Sequence, residues 1–423
     1  MLQLQTIREN RDMVIARLAK KNFDATVLVD EIIELDDKRR RLQTELEDIL
    51  AQSNLIAKEI GILFKNGEQE KANVAKEESI KLKASSKAIE PLLQETVDLL
   101  NSKLVELPNL PHESVPPGKL ASDNEIIHEE GTMPTMAEDA LPHWELASKY
   151  KIIDFELGNK VTGAGFPFYR GKGARLQRAL INFFIEEATE AGYLEYQPPL
   201  LINAASGYGT GQLPDKEGQM YFANEDNLYL IPTAEVPITN IYRDVIVKET
   251  ELPIKNVAYS NCFRREAGSY GKDVRGLNRL HQFDKVEIVQ IQHPDQSYQT
   301  LELMKDHVVN LLRKLELPFR ILRLCGGDMS FTSALTYDFE VYSAAQKMWL
   351  EVSSVSNFED FQSNRMKLRF KDKEGKTRLA HTLNGSALAL PRIVAALLEN
   401  NQTPEGIKIP EALTSYTRFK FID

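Results

Sequence analysis

Apolar residues in the first quarter of the chain recur at a helical interval. Leu28, Ile32, Leu35, Arg39, Leu42, Leu46, Ile49, Ser53, Ile56, Ile60 and Leu63 follow one another in alternating steps of four and three. Nine of these eleven are apolar, against 42% hydrophobic residues in the whole chain, which marks a heptad seam. Lys65-Asn66-Gly67-Glu68 carries turn residues. A returning series follows in Leu82, Ile89, Leu93, Val97, Leu100, Leu104 and Leu107, with two successive steps of four near Pro91 that predict a stutter and a local bend. Two seams around one turn predict an antiparallel α-helical coiled-coil hairpin. A 36-residue helix rises about 54 Å, so the hairpin is expected to project well beyond a globular body.

A proline-rich stretch from Leu107 to Gly118 cannot continue the helix and reads as a linker. It suggests a boundary, with 1–108 as one domain and 109–423 as the other. Beyond about residue 120 the pattern mixes periods. Ala174 to Ala191 is amphipathic at helical spacing through Leu176, Leu180, Phe183, Phe184 and Ala188. Asn227–Ile231, Phe283–Ile291, Phe319–Leu324 and Met366–Phe370 are short β-rich runs. Short runs separated by helices predict an α+β body, a broad antiparallel sheet flanked by helices.

Composition narrows the classes without naming a reaction. The 423 residues, with 27% charged, are ordinary for a globular protein of two parts. Cys262 and Cys325 lie far apart with no CxxC or Cys/His spacing, so neither a disulfide scaffold nor a zinc site is expected. The first twelve residues hold no apolar core of signal-peptide length, and Ala387 to Leu398 is interrupted by Pro391 and Arg392, so no membrane span and a cytosolic location are expected. A formal charge of −10 argues against a chain coated for non-specific nucleic-acid binding. It leaves room for local basic faces such as Lys38, Arg39, Arg40 and Arg41, with Lys76, Lys81, Lys83 and Lys87 on the return helix.

Three stretches of the body stand out. Gly192 to Leu201 leaves a helix for a strand through Pro198 and Pro199. Phe263-Arg-Arg-Glu266 leads through Gly268, Gly271 and Gly276 to Arg279-Leu-His-Gln-Phe283 and Glu287. Asn384 to Arg392 opens a helix over Ile393–Glu399. In the second stretch, two strands joined by a hairpin are expected. Alternation would set Arg264 and Glu266 on one face, and Phe283, Lys285 and Glu287 on one face of the returning strand. Arginine, an aromatic ring and carboxylates are costly to bury as structure and suit ATP, with guanidinium for phosphate and a ring for adenine. Arg392 at a helix start adds a second anion-directed group.

These stretches resemble motifs 1, 2 and 3 of the class II aminoacyl-tRNA synthetases. In detail the chain resembles the bacterial and organellar seryl-tRNA synthetases over essentially its whole length. The carriers are Thr210-Gly-Gln-Leu-Pro214, Pro232-Thr-Ala-Glu-Val236, Cys262-Phe-Arg-Arg-Glu-Ala-Gly268, His281-Gln-Phe-Asp-Lys-Val-Glu287, Glu351-Val-Ser-Ser354, Asp360-Phe-Gln362 and His381-Thr-Leu-Asn-Gly-Ser386. The resemblance implies ATP-dependent activation of L-serine and its transfer to tRNA(Ser), with tRNA(Sec) left open. It implies that Thr233, Ala234 and Glu235 bind serine, the first and last holding its ammonium, while Glu287 and Ser386 bond its hydroxyl. Arg264 would contact the α-phosphate and Arg265 the same nucleotide. Glu266 would read the adenine amino group, with the ring between Phe283 and Arg392. Glu351, Val352, Ser353 and Ser354 would line the ATP site, Glu351 and Ser354 ligating Mg²⁺. Arg264, Glu351 and Arg392 would carry the catalytic charge stabilisation, and motif 1 would form a homodimer interface.

The chain also departs from the family. Val341-Tyr-Ser-Ala-Ala345 stands where Trp-x-Pro-Gly is common, Val355 where Cys is, Ser363-Asn364 where Ala-Arg is, and Leu390-Pro391 where Val-Gly is. None falls on a residue with an implied chemical role. The alternatives are a class II synthetase for another amino acid, a catalytically silent RNA-binding paralogue, or a structural coiled coil. A zinc-based threonine site would need a Cys/His/His set. A silent paralogue should have lost Arg264, Glu266, Glu351 or Arg392, and a coiled coil leaves three-quarters of the chain idle.

Overall fold

The computed structural model describes residues 1–136, 140–266 and 275–423, and its chain divides into two compact units. The first comprises Met1–Ala19 and Phe23–Pro108, the second Lys20–Asn22 and Asn109–Asp423.

Helices α1 (Thr26–Lys65) and α2 (Gln69–Leu104) dominate the first unit and pack along each other. Every position of the α1 seam from Leu28 to Leu63 is buried or half-buried. At the turn, the Asn66 N–H bonds the Ile62 carbonyl at 3.0 Å and Gly67 adopts φ +76°, a left-handed conformation that glycine enters without steric cost. The α2 seam begins earlier than its large apolar residues suggest. Ala72, Ala75, Ser79 and Ser86 are buried and fill a strict three-four alternation with Leu82, Ile89 and Leu93. Thr96 then takes the next place, buried, its hydroxyl bonded to the Leu92 carbonyl at 2.7 Å, with Val97 half-buried beside it. The apparent slip came from choosing the larger apolar neighbour. Pro91 lies exposed inside a helix that runs through it, at the cost of one main-chain bond. Arg39 is not a free basic residue. Its guanidinium bonds Asp36 at 2.7 Å, a carboxylate 2% exposed that Arg8 also holds at 3.1 Å.

In the second unit, β1 (Glu125–Glu130), β2 (Leu194–Tyr196), β3 (Ile254–Phe263), β4 (Gln282–Gln292), β5 (Phe319–Arg323), β6 (Leu335–Ser343), β7 (Met348–Asn357) and β8 (His381–Ala389) form one sheet. Their order is β1-β5-β6-β7-β8-β4-β3-β2, antiparallel throughout except for the parallel edge pair β2 and β3. The unit's helices include α3 (His143–Lys149), α4 (Lys172–Glu190), α5 (Glu235–Asn240), α6 (Ser297–Lys314), α7 (Phe361–Met366) and α8 (Leu390–Asn400). Amphipathic α4 turns Leu176, Leu180, Phe183, Phe184 and Ala188 into the main core, where Val286, Ile288, Phe339, Leu383 and Ile393 also lie.

One sequence expectation fails here. Met366–Phe370 is not a strand: Met366 ends α7, and a short strand begins only at Arg369. Apolar runs of this length do not distinguish buried helix from strand. The proline-rich stretch continues no helix, and its start is tied down. The Asn109 side-chain amide donates to the carbonyls of Thr332 and Phe358 at 2.9 and 2.8 Å, and its main-chain N–H donates to Phe331.

Candidate active site

Strand β4 runs between β3 and β8, and its face carries the chemistry. Phe283 pairs with Cys262, while Glu287 pairs with Ala258 on one side and Ser386 on the other. Alternation sets Phe283, Lys285 and Glu287 on one face, and Lys285 Nζ lies 2.5 Å from Glu287 Oε2 with both side chains buried.

Beside this strand, the segment Thr233 to Glu235 enters α5. Thr233 Oγ1 donates to Glu287 Oε2 at 3.1 Å and accepts the Glu235 N–H at 3.2 Å. Ala234 is fully buried next to it. Glu235 Oε1 accepts from Gln362 Nε2 at 2.7 Å, and Gln362 is itself fixed by the Thr382 hydroxyl at 2.7 Å. Burial first, and then the charge of Glu287, push the Glu235 carboxyl up to about 7, although Gln362, Lys285 and Arg264 oppose the rise. Lys285 already neutralises Glu287. When ionised, Glu235 adds a buried negative charge that Lys285 and Arg264 offset only in part, and a buried carboxylate without a full counter-charge is several kcal/mol out of balance. A cationic group placed beside it would restore the balance.

The arginines lie beyond the end of β3. That strand stops at Phe263, so Arg264 and Glu266 are not related by strand alternation, and Glu266 adopts φ +50°. The expected common face fails because the chain turns there. Arg264 Nε donates to the Pro232 carbonyl at 3.3 Å, and its guanidinium carbon sits 5.3 Å from the Phe283 ring centroid. Such a cation–π contact is worth about 0.5–2 kcal/mol, little enough to be exchanged for a phosphate. Arg265 turns to Tyr221, 4.8 Å from its ring, and to the Met220 carbonyl at 3.1 Å. Glu266 Oε2 is held by Arg279 Nη1 at 3.0 Å. Gly268 and Gly271 lie outside the described residues; Gly276 is described, with φ +68°.

On β7, the pairing with β6 slips between Phe339 and Glu340 and leaves Val352 without a partner. A bulge of this kind resets alternation and turns Glu351 and Ser354 to the same side. Val352 goes into the apolar core, and Ser353 Oγ bonds the Ser386 carbonyl at 2.6 Å. Ser354 Oγ donates to Asp338 Oδ1 at 2.6 Å. Burial, followed by the charge of Glu351, raises the Asp338 carboxyl well above its usual range, while the Ser354 bond works against the rise. Arg392, third residue of α8, reaches back with Nη1 to the Glu351 carbonyl at 2.7 Å and with Nε to the Asn278 carbonyl at 3.0 Å. Glu351 Oε2 lies 3.7 Å from Arg392 Nη1, and its side chain is half exposed.

The fold thus gathers Thr233, Glu235, Glu287 and Ser386 into one group, Arg264 with Phe283 into a second, and Glu351, Ser354 and Arg392 into a third. The Ser353–Ser386 bond joins the third group to the first. Sequence reasoning gave no role to Lys285, Gln362 or Asp338. Lys285 was in view on the Phe283–Glu287 face, and Gln362 lay in a quoted motif. Asp338 had no signal, because only the β6–β7 pairing brings it to Ser354. Glu351 and Ser354 offer oxygen donors that fit a hard divalent cation. Among the described residues no three His, Cys, Asp or Glu side chains stand close enough to hold a metal ion, so such an ion would draw its remaining ligands from phosphate or water.

Comparison with known proteins adds an independent line. Residues 1–111 match the seryl-tRNA synthetase N-terminal domain, and residues 220–401 match the tRNA synthetase class II core domain (G, H, P, S and T). A serine–tRNA ligase of Salinibacter ruber is 51% identical over 99% of this chain and 98% of its own. One of Methylacidiphilum infernorum is 47% identical over the full length of both. The crystal structure of Pyrococcus horikoshii seryl-tRNA synthetase complexed with ATP superimposes with a TM-score of 0.92 at 32% identity, covering 99% of each chain.

Proposed function

The chain belongs to the seryl-tRNA synthetases, class II ligases that join serine to tRNA at the expense of ATP, and on that premise we propose how its residues divide the work. The reaction has two steps. A serine carboxylate oxygen attacks the α-phosphorus of ATP, the bond to the β-phosphate breaks, and seryl-adenylate and pyrophosphate form. The terminal 3′-hydroxyl of tRNA(Ser) then attacks the seryl carbonyl carbon and displaces AMP. Neither step needs a protein nucleophile, so positioning and charge stabilisation carry the catalysis.

Glu235 and Thr233 bind the ammonium, and Glu287 with Ser386 tests for the hydroxyl. The observation that carries this reading is the buried group Glu235–Thr233–Glu287–Lys285, in which two carboxylates face one ammonium and the Glu235 carboxyl is pushed up to about 7. A pocket whose polar atoms would be left unpaired rejects the analogue without the hydroxyl by about 10⁴–10⁵, which excludes alanine. Arg264 leaves the Phe283 face for the α-phosphate, and the adenine enters between Phe283 and Arg392 within reach of Glu266. Arg265 keeps Tyr221 and the Met220 carbonyl, and so supports the nucleotide site from behind. Glu351 and Ser354 would hold Mg²⁺ on the phosphates, the Ser354 hydroxyl donating its hydrogen bond to Asp338 and so leaving its oxygen lone pairs for the ion. When bound, the ion neutralises developing phosphate charge.

We assign residues 1–108 to tRNA binding and 109–423 to catalysis. Exposed Lys38, Arg40 and Arg41 are the residues for an RNA backbone, Arg39 being committed to Asp36. A homodimer through motif 1 is supported by Leu194, Leu200 and Leu201, all exposed at the unpaired β2 edge or just beyond it. No described helix is long and apolar enough to cross a membrane, and we place the enzyme in the cytoplasm.

ATP–pyrophosphate exchange measured across the twenty amino acids tests the site. It is expected to depend on L-serine. Exchange with threonine or proline but not serine overturns the reading.

A further inference from the structure

The strongest polar network outside the substrate groups lies behind Arg392. His143 and Glu399 are both fully buried. One carboxylate oxygen of Glu399 accepts the His143 main-chain N–H at 2.9 Å, His143 Nδ1 at 2.7 Å and Gln346 Nε2 at 2.9 Å. The other accepts the Ser343 hydroxyl. On its far side, His143 Nε2 is 2.8 Å from the Leu277 N–H. A main-chain N–H only donates, so Nε2 is the acceptor and the ring proton sits on Nδ1, directed at Glu399. Gly276 passes so close that a Cβ there would lie 2.2 Å from His143 Nε2. Gln346 extends the network, its Oε1 accepting from the Asn278 amide at 2.9 Å.

Asn278 is also the residue whose carbonyl receives Arg392 Nε. Arg392 and Glu399 are seven residues apart in α8, two turns, and so share a face of that helix. One helix therefore grips 276–278 twice, through Arg392 at its start and through Glu399 and His143 near its end. We propose that His143 is a positioning residue for nucleotide binding, holding 277–278 so that the Asn278 carbonyl aims Arg392 at ATP. The proposal rests on the assignment of Arg392 to ATP made above.

The test uses the full-length enzyme in ATP–pyrophosphate exchange, with melting temperatures recorded. His143→Asn keeps a donor toward Glu399 and removes the acceptor for Leu277. It is expected to raise the ATP KM about tenfold while leaving the serine KM within about twofold. Added to Arg392→Ala, it should raise the ATP KM by no more than about twofold further, as expected for residues acting through one contact. An unchanged ATP KM in folded His143→Asn, an equal rise in both KM values, or fully multiplicative effects in the double variant would each overturn the proposal. Arg392→Ala with an unchanged ATP KM would instead overturn the site assignment beneath it. If His143→Asn does not fold, Gln346→Ala cuts the same network at a half-buried position. An ATP KM raised about threefold then supports the link, and an unchanged one overturns it.

Discussion

In the helical hairpin, a seam position asks only for a side chain of suitable size at the right interval, and Ala72, Ser79 and Thr96 serve there as well as Leu82 or Ile89. In the sheet-borne site, one Glu287 oxygen, Oε2, takes both the Thr233 hydroxyl and the Lys285 ammonium, and neither Lys285 nor Thr233 could trade places with a neighbour of equal volume. The hairpin is specified by a period, the site by individual atoms. Damage should therefore spread differently. Losing one seam residue weakens an element, whereas losing one site residue removes a step.

The comparison breaks most sharply if the two regions can be separated. Replacing residues 28–107 by a short Gly/Ser linker is expected to abolish tRNA charging and to leave serine-dependent exchange within about twofold, since transfer needs RNA docking and activation does not. Unimpaired charging removes the role proposed for the arm. Next in size, Arg264→Ala should lower exchange kcat/KM by about 10²–10³, the usual cost of one preorganised charge-stabilising donor, with the melting temperature little changed. A loss of less than tenfold would mean that the guanidinium serves only the Phe283 face. The smallest effect concerns protons. Glu235 titrates at about 7 in the free site, pushed up mainly by burial, and only its ionised form pairs with the ammonium. Serine KM should therefore fall about tenfold from pH 6 to pH 8 and level off above 7. Glu235→Gln should flatten that profile, and an unchanged slope in the variant assigns the proton elsewhere.

The same contrast explains what could be read from sequence. The hairpin was legible to its turn because heptad spacing is periodic; the return seam was misread where small or polar residues fill it, at Ala72, Ala75 and Ser79 before Leu82 and at Thr96 near Pro91, and it was carried to Leu107 although the helix ends at Leu104. The α+β class and the long strand β4 were legible too. The common face expected for Arg264 and Glu266 was not real, because β3 ends at Phe263. The meeting of Glu351 with Ser354 depends on the bulge at Val352, and Asp338 reaches Ser354 only through the β6–β7 register. No interval along the chain encodes either. The departure at Val355 has a local counterpart: it pairs with Gly385, where a Cβ would stand 3.0 Å from a Val355 methyl, so the bulk at one position is met by its absence at the other.

The most direct test of the central claim is a crystal structure of the enzyme with a non-hydrolysable seryl-adenylate analogue. The account predicts the ammonium on Glu235 and Thr233, the seryl hydroxyl on Glu287 and Ser386, Arg264 on the phosphate and the adenine between Phe283 and Arg392. An analogue bound with Arg264 and Arg392 both turned away from it, or with its hydroxyl facing anything but Glu287 and Ser386, would contradict it.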